Sequence, residues 1–348
     1  MRRTIPVDEY VGGLSAELAI RFAGDRRWTV DTLYFGGGTP SRLGRDGVER
    51  AIEAMRDYID LAPDAEVTLE ANPDDVTEDT VAGWRRAGVN RLSIGAQSFD
   101  DEVLKWMHRT HDASAIESAV AAARRSGIDN ISVDLIFALP EIVERSWERD
   151  VEKALELGPS HVSLYGLTIE PHTPLGRWRS RGELDEAPDE RYEREFLFAH
   201  EAMTSAGLEH YEVSNFGGPG SRSRHNSSYW TGVPYAGMGP SAHEFDGARR
   251  RWNKSGYVDW LREVGAGRDP VEQAETLTDE NKSAERAYLG LRTVAGLILS
   301  DAEVERASAW IDAGWASLDD RQALRLTALG WLRLDALAAD LTLLRSRS

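Results

Sequence analysis

The stretch Tyr34-Phe35-Gly36-Gly37-Gly38-Thr39-Pro40-Ser41 decides the fold, because it closes the apolar run 29–35 with three successive glycines. Glycine carries no Cβ and reaches φ values closed to other residues, so a ligand can lie directly on the backbone of such a turn. A bare βα turn or a phosphate-binding turn reads the same way locally. The surroundings therefore carry the argument. Further short β-branched or apolar runs follow at 66–70, 91–94, 131–136, 161–167 and 209–213, and helical patterns fall between them at 46–59, 77–87, 113–125 and 147–157. Repeats of about 25 to 50 residues fit consecutive βα units on a parallel sheet. The fold class is α/β, with a full or partial barrel as the simplest closure. Gly88, Gly127, Gly158 and Gly207 each stand where a left-handed C-cap turns a helix back into the next strand.

Parallel strands point their C-terminal ends at one face, where α/β barrels place their chemistry. At those ends stand Gly36 to Thr39, then Glu70 and Asn72, then Gln97 and Ser98, then Asp134, and finally Thr168 to Glu170. One buried polar residue commonly just satisfies neighbouring backbone. Several on the same rim favour a site. From 216 to 240 the chain is rich in Gly, Ser, Pro and aromatics, which predicts a long loop. Beyond Thr278 helical signals return. The expected division is a barrel over 1–215, a Gly- and aromatic-rich linker over 216–277, and a smaller, mainly α-helical, winged-helix-like domain over 278–348.

Composition limits the chemistry. The 348 residues suffice for a large core, and 41 Lys plus Arg against 59 Asp plus Glu give a formal charge of -18. Such a chain repels polyanions, so nucleic acid is a poor partner. Arg222, Arg224, Arg249, Arg250 and Arg251 form a local basic patch that reads as solvated surface or as a match for the carboxylates of a small acidic ligand. There is no cysteine, which excludes disulfides, thiolate nucleophiles and thiolate-held zinc or iron-sulfur centres within these residues. Any metal would need His, Asp or Glu. Residues 1–8 lack the apolar core of a secretory signal, and no run approaches the roughly 20 apolar residues of a membrane span. A cytoplasmic location is expected.

Seven separated segments then occur in a recognisable order: LYFGGGTPSRL, LEANPDD, NRLSIGAQSFDDEVLKWMHRTH, ISVDLIFALP, HVSLYGLTIEPHTPL, HYEVSNF and HNSSYW. In this the chain resembles the HemN/HemW group of radical S-adenosylmethionine (SAM) proteins, from about Asp8 to the C-terminus. The compact C-terminal region and the HNxxYW segment are similar to the haem-chaperone branch, HemW, rather than to coproporphyrinogen III dehydrogenase. The resemblance implies a partial (β/α)6 barrel with a smaller helical domain. It implies that Gly37, Gly38, Thr39, Glu70, Gln97, Arg109, Asp134 and Thr168 contact SAM. It also implies haem contact by His225, Asn226, Tyr229 and Trp230, with His225 the first candidate iron ligand and His243 the second; His172 is read as ordering its turn.

The resemblance breaks at one place. Relatives hold a 4Fe-4S cluster on a CxxxCxxC loop after their first strand, and neither that loop nor that strand is found here. Met1 is accordingly read as an internal start with roughly 20 to 40 residues of that βα portion upstream, in preference to a natural truncation that keeps only haem binding or a scaffolding role, and the run 29–35 as an exposed edge. The functions this implies are a haem chaperone delivering haem to an acceptor protein or, alternatively, a radical SAM coproporphyrinogen III dehydrogenase. A nucleotide-binding α/β barrel is the reading without the family. The oligomeric state, a homodimer included, stays open.

Overall fold

The computed structural model describes residues 6–22, 24, 27–171 and 173–345; His172, with the role expected of it, lies outside them. The strands are β1 (Trp28–Phe35), β2 (Ile59–Ala71), β3 (Arg91–Gln97), β4 (Ile131–Phe137), β5 (His161–Gly166), β6 (Glu209–Glu212), β7 (Asn215–Gly217), β8 (His243–Phe245), β9 (Arg249–Asn253), β10 (Val271–Thr276), β11 (Leu297–Ile298), β12 (Ala316–Leu318) and β13 (Ala323–Leu326). The helices used below are α1 (Val7–Arg21), α2 (Gly44–Arg56), α3 (Glu78–Ala87), α4 (Asp101–Trp106), α5 (Ala113–Arg125), α6 (Trp147–Glu156), α7 (Pro174–Ser180), α8 (Asp189–Ser205) and α9 (Arg224–Thr231).

The α/β reading holds. One seven-stranded sheet runs in the order β1-β2-β3-β4-β5-β7-β6, with β1 at its end. The pairs β1–β2 and β4–β5 are parallel, whereas β5–β7 and β6–β7 are antiparallel. The purely parallel expectation stops at β5 for a simple reason. Two residues, Val213 and Ser214, separate β6 from β7, and a parallel return needs a crossover of a dozen residues or more. All four predicted helix-ending glycines adopt positive φ, from 59° at Gly158 to 121° at Gly88. The helix expected over 46–59 ends at Arg56, because Ile59 already pairs with Trp28 as β2 begins.

Contacts divide the chain into two compact units, each discontinuous in sequence. The first comprises 1–93, 121–129 and 224–282. Here α1 is fixed by Glu17, wholly buried, which accepts from Gly239 N at 2.8 Å, Trp260 Nε1 at 2.8 Å, Asn253 Nδ2 at 2.6 Å and Arg21 Nη1 at 3.2 Å. Gly13 is required beside it, since a Cβ there would stand 2.5 Å from the Trp260 ring. A three-stranded antiparallel sheet, β10-β9-β8, completes this unit.

The second unit comprises 94–120, 130–223 and 283–348. Its core holds a polar network on Arg145, which pairs with Asp150 at 3.1 Å and Glu195 at 3.0 Å and donates to Ile136 O. A small antiparallel sheet of order β11-β13-β12 lies within 283–348. His210 sits between Phe216, stacked at 3.8 Å, and the edge-on ring of Trp331 at 4.4 Å.

The long loop expected over 216–240 is corrected by the structure: it contains β7 and the helix α9. The composition of α9, RHNSSYWT, has weak helix propensity and does not announce a helix. A carboxylate from β2 stabilises it instead. Glu66 accepts from Arg224 N at 3.0 Å and from His225 N at 2.9 Å, which satisfies two orphan N–H groups and places negative charge at the positive end of the helix dipole.

Candidate functional site

The glycine turn and the HNxxYW helix meet in the first unit. In the parallel register Thr32 lies opposite Glu66 and Tyr34 opposite Thr68. Alternation then puts Thr32, Tyr34, Glu66, Thr68 and Glu70 on one face of β1–β2, and α9 packs on that face. His225 stacks on Tyr34 with ring centroids 4.7 Å apart at 15°. Its Nδ1 is 2.8 Å from Thr32 Oγ1 and its Nε2 2.8 Å from Tyr229 Oη, one turn along the helix. A neutral imidazole offers one donor and one acceptor, so both are in use.

Tyr34 Oη also donates to Glu70 Oε1 at 2.7 Å, while Gly37 N donates to Glu70 Oε2 at 3.3 Å. The Glu70 carboxylate thus ties the glycine turn to the His225 stack. Gly36 has no room for a side chain: a Cβ there would lie 2.4 Å from the Tyr34 ring and 2.8 Å from Glu70 Oε1. Gly37 and Gly38 differ. A Cβ on either would meet nothing within 4 Å, and Gly37 has φ +82°, so this backbone is open to a ligand. Thr39 follows and leads into the short helical turn Pro40–Leu43.

Burial governs the charges at this face. It raises the Glu70 carboxyl above its usual range against the opposing hydrogen bonds from Tyr34 and Gly37. It pushes the Tyr229 hydroxyl up to about 12, with Tyr235 and Glu70 adding to the effect. It lowers His225 to about 4, only partly offset by Glu66. The sign of the linkage follows. An unfolded His225 binds its proton near pH 6.5 and the folded one near 4, so stability present above 6.5 is lost as pH falls toward 4. His210, driven to about 3 by burial in the second unit, acts in the same direction. His225→Gln is expected to flatten this acid limb between pH 6.5 and 4 in urea midpoints taken across the window. An unaltered limb would disprove it.

The remaining HNxxYW residues stay with the helix: Trp230 meets Tyr229 edge-on at 6.4 Å, and Asn226 is half-buried. His243 is placed elsewhere, exposed on β8 and stacked on Trp252 of β9 at 5.7 Å and 23°. In the second unit, Gln97 ends β3 with φ +70°, and Asp134 on β4 accepts from Ser132 Oγ at 3.1 Å. Thr168 is exposed, two residues beyond β5. Arg109 is half-buried with no ion-pair partner among the described residues, and its guanidinium is held below its ordinary value by desolvation alone. An unneutralised, partly desolvated guanidinium suits an incoming carboxylate.

Sequence reading missed Tyr34 and Glu66 as members of this face. Their signal was present: Glu66, Thr68 and Glu70 alternate along a strand whose intervening residues are Val67 and Leu69. The donor set does not fit a 4Fe-4S cluster, since the chain contains no cysteine. No group of three or more His, Asp, Glu or Cys among the described residues comes together to hold a metal ion.

Residues 8–154 match the radical SAM superfamily. The heme chaperone HemW of Synechocystis is 36% identical over 300 residues, covering 85% of this chain and 73% of that protein. The heme chaperone HemW of Mycobacterium tuberculosis is 37% identical over 341 residues, covering 97% and 86% respectively. Among solved structures, coproporphyrinogen III oxidase (HemN) from Escherichia coli superimposes with a TM-score of 0.80 at 22% identity, over 97% of this chain and 84% of that one. That likeness is one of fold.

Proposed function

The chain belongs to the HemW group of the radical SAM superfamily, and from that membership we propose that it binds haem and passes it to an acceptor protein. The observation that carries the reading is the joining of two family segments in one place. The HNxxYW helix is seated by Glu66 and by the Tyr34–His225 stack on the strand that ends in the glycine turn. Aromatic faces and imidazoles near a surface suit a macrocycle that must be held and released.

SAM is assigned, in the first unit, to the open backbone of Gly37, Gly38 and Thr39 with Glu70. The open turn supports that assignment. SAM bound beside a reduced cluster would supply a radical, but these residues hold no thiolate for the cluster.

Titrating the purified chain with hemin tests the function. A saturable Soret band at one haem per chain is expected, followed by loss of that band to apomyoglobin as the acceptor probe. A spectrum equal to that of free hemin would refute haem binding. Haem retained indefinitely in the presence of apomyoglobin would refute the transfer role.

A further inference from the structure

We propose that an open groove of about 570 Å³ on the second unit, between residues 141–148 and the start of α8, binds an extended basic segment of a partner protein. The proposal is independent of the haem reading above. The way the loop after β4 is pinned gives the groove its shape. Leu139 and Val143 are buried in one apolar cluster with Val103, and Val143 N donates to Pro140 O at 2.9 Å. Arg145, two residues on, is held between Asp150 and Glu195. Anchored on both sides, Ile142 is kept outside the core, 66% exposed. One exposed isoleucine is ordinary on any surface. Here it stands on a fixed loop beside a groove, so little ordering entropy remains to be lost when a partner covers it.

Charge decides the kind of partner. Glu141, Glu144, Glu148 and Glu190 line the groove, are exposed, and have no ion-pair partner among the described residues. Four unneutralised carboxylates attract any cation. Donors in the same groove narrow the choice. Arg145 lines it with a side chain of no exposure, and its Nε has no acceptor. Pro188, also in the lining, begins α8 without a side-chain cap, which leaves orphan N–H groups in the first turn. A polyamine or a metal ion brings nothing for those donors to bond. A peptide does: its carbonyl oxygens accept from the donors, its Lys or Arg side chains meet the carboxylates, and an apolar side chain covers Ile142.

Fluorescence anisotropy of the full chain with a fluorescein-labelled decapeptide of Lys, Leu and Ser tests this at low ionic strength. Saturable binding is expected, weakened by added salt. Glu144→Gln with Glu190→Gln is expected to weaken it roughly tenfold, and Ile142→Ser roughly fivefold. All three positions are exposed, so the variants fold, which thermal melts check. The control is Glu272→Gln with Glu275→Gln, on exposed positions of β10 in the first unit, which removes the same charge and is expected to leave binding unchanged. An equal loss in that control would assign the binding to the net charge of the whole chain and overturn the proposal. So would wild-type affinity in Ile142→Ser, spermidine binding as tightly as the peptide, or no binding by the wild-type chain.

Discussion

Glu17→Ala is expected to cost about 3–5 kcal/mol of stability, the range for breaking a buried charged network by deleting one partner. The carboxylate is wholly buried and accepts from a backbone N–H, an indole, an amide and a guanidinium, at Gly239, Trp260, Asn253 and Arg21. Removing it strands the Gly239 and Trp260 donors without water to replace it. Arg21 keeps Glu244 and Gly237 O, and Asn253 keeps Gly239 O, so the loss is concentrated on the first two. It also detaches α1 from the segment that precedes β8. A urea midpoint at unchanged slope measures it, and Glu17→Gln, which retains an acceptor, is expected to lose less. A fall of under about 1 kcal/mol, the size of one ordinary hydrogen bond, would contradict the argument.

Arg145→Met in the second unit is expected to be of similar size, about 3–5 kcal/mol, for the mirror-image reason. The guanidinium side chain has no exposure, and deleting it removes the cation shared by two buried carboxylates, Asp150 and Glu195. Glu195 retains Arg191 at 2.7 Å and Asp150 retains Ser98 Oγ and Phe99 N. Burial already raises the Asp150 carboxyl, against the lowering effects of Phe99 N and Arg145. Without the cation its pKa rises further. A carboxyl raised in the folded state contributes stability at low pH that is lost as pH climbs through the folded value. The variant should therefore recover part of its deficit on acidification, and Arg145→Met with Asp150→Asn should be more stable than Arg145→Met alone at neutral pH. An equal or larger loss in the double variant would show that the charge left behind is not the cause.

The βα order, the glycine-capped helix ends and the open turn at Gly37 and Gly38 were legible because each depends on local backbone chemistry or on a short-range period. Helix α9 was not legible, because its stability comes from Glu66, some 158 positions away in the chain. His225 shows the same division. Its place beside Tyr229 is a helical i,i+4 relation visible in the sequence, but the use of both its ring nitrogens depends on Thr32, 193 residues distant.

From sequence alone, then, come the α/β class, the family, the residues lining the turn and the absence of thiolate ligands, all of which follow from composition, period and order. Tertiary structure decided that Glu66 makes a helix of HNSSYW, that Glu70 couples the turn to the His225 stack, and that both ring nitrogens of His225 are engaged. Those outcomes depend on long-range hydrogen bonds and desolvation, whose energies exist only once strands and helices distant in the chain are packed together.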